Sequence, residues 1–286
     1  IRGTTRPRTP WRRQRPCSYH RAFMDAPAQP VTLSSLLEDH AVPFATLHDR
    51  YGALLELVRV LLGVVPNCDR YLEIWPTAFR TYNVMVPNLI NLPRLVWGLG
   101  APRSTVGLAI YVSSRSAGCA YCSAHTCTFA LRRGATVAEV ASALEGAGLT
   151  EADRAAVRVA RGLSVVPVDL GDEERAAFRR HFSASDAEWI VLAVTMMGWL
   201  NKTMNALGVP LEEPTVAEVQ GVMAPSGWSA GDHWRGATPR SSSPPRPDSL
   251  LKRLSVVRYA PKAIALDKAW TRGVPDRWPD VGDFLR

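Results

Sequence analysis

An all-α fold is expected for this 286-residue chain on three observations. Segment after segment carries apolar residues at helical spacing. Capping and terminating residues stand where those segments begin and end. No stretch shows the period-two alternation and tight-turn chemistry of a hairpin.

Thr46 to Leu62 places Leu47, Tyr51, Leu54, Leu55, Val58 and Leu62 on one helical face, and Gly63 and Pro66 end it. A second helix is expected over Tyr71 to Val84, with Pro76 near its start or at a kink. Asn88 to Pro102 is broken by prolines and glycines. Ser104 to Ser113 is apolar and β-branched enough for a strand, but its neighbours favour a buried helix. A helix rich in cysteine should run from about Ser116 to Arg133. Gly134 is its terminator, and Arg132 and Arg133 complement the negative helix end. Thr136 with Glu139 forms a capping box for a helix reaching Glu145. Glu151 to Gly162 and Asp172 to Phe182 follow. Ser185 with Glu188 reads as a further capping box, opening a long buried helix to Leu207 that Gly208 and Pro210 close. The last helical segment starts at Ser249 and is expected to break at Pro261.

These elements suggest an organisation. Residues 1–24 hold seven arginines and no acid, and read as a disordered basic tail. The chain opens on Ile1, and Met24 is the expected natural start. Residues 25–225 should form the helical domain, with a second half that reads as a degenerate copy of the first. Residues 226–248 are rich in Pro, Ser, Gly and Arg and read as a linker. Residues 249–286 should be a small helical C-terminal segment, expected to be truncated. The net charge of +8 belongs to the tail: the other 262 residues carry 27 basic and 26 acidic side chains. That argues against a nucleic-acid partner, which prefers basic residues clustered on structure. No apolar run is long enough to span a membrane, so no membrane partner is expected. Three of the five cysteines are clustered, unlike a secreted disulfide framework, so a cytoplasmic location is expected.

The cluster is Cys119-Ala-Tyr-Cys122-Ser-Ala-His125, with Cys127 just beyond. Cys119 and Cys122 are three residues apart, which makes them neighbours on a helix, and His125 follows on the same side. A thiol in the first turn gains from unpaired N–H groups and the helix dipole. Between Glu73 and Glu139 there is no acid, while Arg80, Arg94, Arg103, Arg115, Arg132 and Arg133 fall in that window, so an electropositive setting is expected. Cys127 reads as a core residue or a second resolving thiol, and Cys68 stands alone. Zinc is disfavoured, because four ligands on one helix cannot surround an ion.

Gly118-Cys-Ala-Tyr-Cys-Ser-Ala-His125 resembles the thiol motif of the AhpD-like alkylhydroperoxidases, relatives of the carboxymuconolactone decarboxylases. The runs Leu170-Gly-Asp-Glu-Glu, Ser185-Asp-Ala-Glu188 and Leu200-Asn-Lys-Thr-Met-Asn-Ala-Leu-Gly-Val-Pro-Leu look similar too, so the likeness covers roughly residues 45–215. The resemblance implies an all-helical fold and a thiol-dependent oxidoreductase, either an alkylhydroperoxidase or a disulfide reductase. It assigns Cys122 as the attacking thiolate, Cys119 as the resolving thiol and His125 to a proton relay. No metal or organic cofactor is implied. A homo-oligomer and a dithiol electron donor, a lipoyl or thioredoxin-type protein, are. Two positions depart from the family. Thr126 stands where its histidine often lies, and the place of its relay glutamate is Gly107. A water or Tyr111 could substitute there, activation could be weaker, or the substrate could be something other than peroxide. The alternatives are a non-redox decarboxylase or lactone-processing enzyme with a cationic pocket from Arg80, Arg94 or Arg103, and a non-enzymatic redox sensor.

Overall fold

A computed structural model describes residues 31–272. Among them there are thirteen α-helices, three short 3-10 turns and no strand. The basic tail, 1–24, lies outside the described residues. The helices are α1 (Leu33–Leu36), α2 (Phe44–Leu62), α3 (Cys68–Leu72), α4 (Pro76–Leu89), α5 (Leu92–Trp97), α6 (Arg103–Ser116) and α7 (Ala120–Arg132). They continue as α8 (Val137–Ser142), α9 (Glu151–Ser164), α10 (Asp172–His181), α11 (Ala184–Leu207), α12 (Glu213–Met223) and α13 (Leu250–Trp270). None is long and apolar enough to cross a membrane.

The antiparallel pair α6–α7 lies at the centre, with α9 and α11 against α6 and α12 against α7. Both central helices are buried almost all the way round, as expected of an inner helix. Gly107 sets how closely they approach. A Cβ on it would lie 2.7 Å from the backbone of Ala130, inside any tolerable contact. The small residues Ala155, Ala156 and Ala160 bring α9 equally close to α6. Thr105 on α6 donates a hydrogen bond of 2.6 Å to Asp153 of α9, satisfying both buried polar groups.

Four local expectations need correction. The cysteine helix begins at Ala120, not near Ser116, because α6 runs to Ser116 and the chain turns between them. The long helix α11 is capped by Ser183, whose hydroxyl accepts from the Asp186 N–H, so the cap lies two residues earlier than Ser185. Pro261 does not break α13, and Pro87 sits inside α4. Residues 226–248 run across the body: Trp228 and His233 are buried, and the backbone of Ser242 and Asp248 bonds to Ala217 and Arg132. Beyond them, α13 packs on α2, where Trp270 meets Tyr51 and Phe79 edge-on.

Candidate functional site

The turn from α6 into α7 builds the thiol pair. Gly118 adopts φ +68°, a left-handed conformation that favours glycine. Its N–H bonds to the Arg115 carbonyl, and the Cys119 N–H bonds to that of Ser114. This is the double bond pattern that closes a helix with a left-handed residue. The reversal leaves Cys119 extended, as the N-cap of α7. Its Sγ takes the place of the usual capping oxygen and accepts the Cys122 N–H at 3.3 Å. That backbone bond holds the two cysteines together at the start of α7.

The neighbouring Cys122 thiol, with the backbone N–H groups of Cys122 and Tyr121, holds the Cys119 thiol below its ordinary range against the opposing effect of burial. Burial pushes Cys122 the other way, and the neighbouring Cys119 adds to the rise. The helix cap thus favours negative charge at Cys119, and burial disfavours it at Cys122. Access runs opposite to acidity. Cys122 lines an apolar cavity of about 90 Å³, and Cys119 does not. Cys127 is elsewhere in the core, and burial pushes its thiol up to about 12.

His125 and Thr126 line the same cavity as Cys122. The remaining walls include Val86, Ile90, Phe129, Met196 and Met204. No Lys or Arg lines it, so the expected electropositive setting is corrected. Arg94 is engaged with the Leu99 carbonyl, Arg103 with that of Arg132, and Arg115 with Ser226. Arg132 and Arg133 pair with Glu218 and Asp248.

An acid does approach the site, though not from the place expected. Gly107 has no room for a side chain, and the carboxylate beside His125 is Glu212. Gly208, at φ +62°, ends α11, and Pro210 and Leu211 lead to Glu212 as the N-cap of α12. Its Oε2 lies 2.9 Å from His125 Nε2, although the pair is not aligned as a linear hydrogen bond. Its Oε1 accepts from the Tyr121 hydroxyl at 3.1 Å and from the Asn67 N–H. Burial alone would raise the Glu212 carboxyl, but the adjacent His125 imidazole and the backbone N–H of Asn67 outweigh it, so the carboxyl is held below the ordinary range. The one sequence signal was the acidic pair within Pro210-Leu-Glu-Glu-Pro214.

Two further residues gather at this end of α7. Asp69 is fully buried with neither oxygen hydrogen-bonded. Burial, with Glu212 and Glu73 nearby, pushes its carboxyl up to about 8. Cys68, which the sequence leaves isolated, lines the cavity beside Cys122. No group of three or more His, Cys, Asp or Glu among the described residues is arranged to hold a metal ion.

Residues 94–163 match the carboxymuconolactone decarboxylase family. No curated protein matches the sequence. Among solved structures, the chain is similar to the debrominase Bmp8 in its apo form, at 22% identity and a TM-score of 0.55, over 64% of this chain and 96% of that one. It is also similar to a cysteine-to-alanine variant of that debrominase in complex with 2,3,4-tribromopyrrole. There the identity is 21% and the TM-score 0.56, over 69% of this chain and all of the other. At these identities the likeness concerns the fold, which is all-helical and carboxymuconolactone decarboxylase-like.

Proposed function

Since the chain carries a carboxymuconolactone decarboxylase-family segment at residues 94–163 within an AhpD-like helical fold, we propose that it is a thiol-dependent reductase of small, uncharged electrophiles, with hydroperoxides as its first substrate class. The observation that supports this reading is the Cys119–Cys122 pair, joined by the Cys122 N–H to the Cys119 sulfur at 3.3 Å, with only Cys122 of the two lining an apolar cavity.

The steps follow from that arrangement. Cys122 attacks the terminal peroxide oxygen. The O–O bond breaks, an S–O bond forms, and the Cys122 proton goes to the departing alkoxide, giving an alcohol and a sulfenic acid. Cys119, already the more acidic thiol, attacks the Cys122 sulfur. The disulfide forms and hydroxide leaves, taking a proton to become water. An external dithiol resets the pair by exchange and leaves as its own disulfide. His125, paired with Glu212, lies on the cavity wall where proton movement at the leaving oxygen is needed. Glu212 acts through His125 as a positioning residue. The dithiol donor, of lipoyl or thioredoxin type, and a homo-oligomeric state remain part of the proposal.

The apolar cavity favours a second electrophile. A brominated heteroarene would be reduced by the same two thiols, losing bromide and gaining hydrogen as the disulfide forms. The brominated pyrrole bound by the debrominase makes it a natural test compound. The non-redox alternative needed a cationic pocket, and the cavity lining holds no Lys or Arg.

The test is steady-state turnover with a dithiol donor and either cumene hydroperoxide or a bromopyrrole. Cys122→Ser should abolish turnover on both and leave the helical circular dichroism unchanged. Unchanged turnover in that variant rejects the proposal.

A further inference from the structure

Cys68 is the nucleophilic group closest to the site that the scheme above leaves unused. It opens α3, far from Cys122 in sequence, yet both line the same cavity of about 90 Å³. Its surroundings are polar on one side only. The Tyr121 hydroxyl accepts the Cys68 N–H at 3.3 Å, and Tyr82 lines the cavity alongside them. Tyr121 also donates to Glu212, so Cys68 joins the network that reaches His125. His125 also lines this cavity, and its buried Nδ1 has no partner. A cysteine serving only as core filler need not share one cavity wall with Cys122, two tyrosines and an imidazole.

We propose that Cys68 is a third redox thiol of this site, able to close a disulfide with Cys122 across the cavity that both line. The proposal rests on Cys122 being the thiol that reacts. Cys119 and Cys68 then reach it from two directions: Cys119 from the helix cap behind it, Cys68 from the cavity. At rest, burial and the neighbouring Asp69 keep Cys68 protonated, so it waits as a thiol and is not the first nucleophile. When Cys122 carries a sulfenic acid, the Cys68 sulfur attacks it. An S–S bond forms, the S–OH bond breaks, and the Cys68 proton leaves with the hydroxyl as water. An external dithiol reduces this disulfide as it does the other. The consequence is a site in which an oxidised Cys122 is captured even when Cys119 is blocked, sparing it from irreversible over-oxidation.

The experiment uses the full chain with Cys119→Ser, reduced and then treated in separate arms with diamide and with one equivalent of cumene hydroperoxide. Diamide oxidises two neighbouring thiols to a disulfide without any peroxidase step. Alkylation under denaturing conditions, then non-reducing peptide mapping, reads the products, and gel filtration separates intramolecular from intermolecular links. The expected result is a Cys68–Cys122 peptide in both arms, with Cys127 alkylated as the internal control. In Cys68→Ser/Cys119→Ser the linked peptide should vanish, and dimedone should label Cys122 at least tenfold more. Full alkylation of Cys68 and Cys122 after diamide overturns the inference. A linked peptide with diamide but no reaction with peroxide leaves the third thiol standing and rejects the peroxidase reading instead. Should Cys119→Ser misfold, blocking Cys119 in the native protein through a mixed disulfide gives the same readout.

Discussion

The two ends of α7 treat buried charge in opposite ways. At the C-terminal end the buried arginines meet acids. Arg133 pairs with Asp248 at 2.9 Å, and its guanidinium lies 4.7 Å over the Phe129 ring. Lys252 reaches the other Asp248 oxygen at 2.9 Å, and Arg132 pairs with Glu218 at 3.1 Å. These bonds tie residues 226–248 and the start of α13 to the central helices. At the N-terminal end the charges are left in tension. Asp69 is fully buried with no hydrogen bond, close to Glu73 and the half-buried Glu212, and the buried Nδ1 of His125 has no partner, although Glu73 itself pairs with Arg50. Unpaired buried ionisable groups cost stability, and they collect where groups are held ready to exchange protons. One end of the helix anchors the fold, and the other carries the groups of the proposed reaction.

Breaking either end should therefore have separable effects. The largest is expected from Cys122→Ser, which should cut dithiol-dependent turnover by at least about a thousandfold, in line with loss of an essential nucleophile. Stopped-flow consumption of hydroperoxide checks it. At the same end, Glu212→Gln should lower kcat roughly 10- to 100-fold, the usual effect of removing a group that orients another. Its pH–rate profile should lose a limb that the native protein shows. Profiles that superimpose would reduce Glu212 to a helix cap.

At the other end, Asp248→Ala strands Arg133 and should cost about 3–5 kcal/mol of stability, the range for breaking a buried ion pair. Urea denaturation measures this, and the reaction rate of Cys122 with peroxide in the surviving folded protein should be unaltered. A gradual effect, spread over several pH units, concerns Asp69. Its folded-state pKa, about 8, lies above the ordinary carboxyl value, so the folded chain binds a proton that the unfolded chain has released. Stability should be fully present near pH 4 and fall as pH rises toward 8, by up to about 1.4 kcal/mol per unit. Asp69→Asn should flatten that slope in thermal melts taken between pH 5 and pH 8. An unchanged slope would place the titration on another group.

The contrast between the ends also explains what could be read in the sequence. Local signals carried the fold: period, caps and terminators located most of the helices, and the thiol spacing put Cys119 and Cys122 side by side. Proline was overweighted, because α13 tolerates Pro261 and α4 tolerates Pro87. Non-local facts were not legible. The arginines between Glu73 and Glu139 look like a basic environment for the thiols, yet those whose partners are known turn to carbonyls, Ser226, Glu218 and Asp248. The acid missing at Gly107 is missing for a steric reason, since α6 and α7 touch there. Its counterpart, Glu212, comes from outside the segment that matches the family. Cys68 likewise joins the site only through the packing of α3 beside α7.

The most direct test of the thiol pair is the stoichiometry of a single oxidation. The reduced native chain is mixed with one equivalent of cumene hydroperoxide, quenched by alkylation and mapped without reduction. One peroxide should be consumed per chain, with Cys119 and Cys122 leaving the alkylatable pool together as a linked peptide. Consumption of peroxide while both residues remain fully alkylatable would contradict the account.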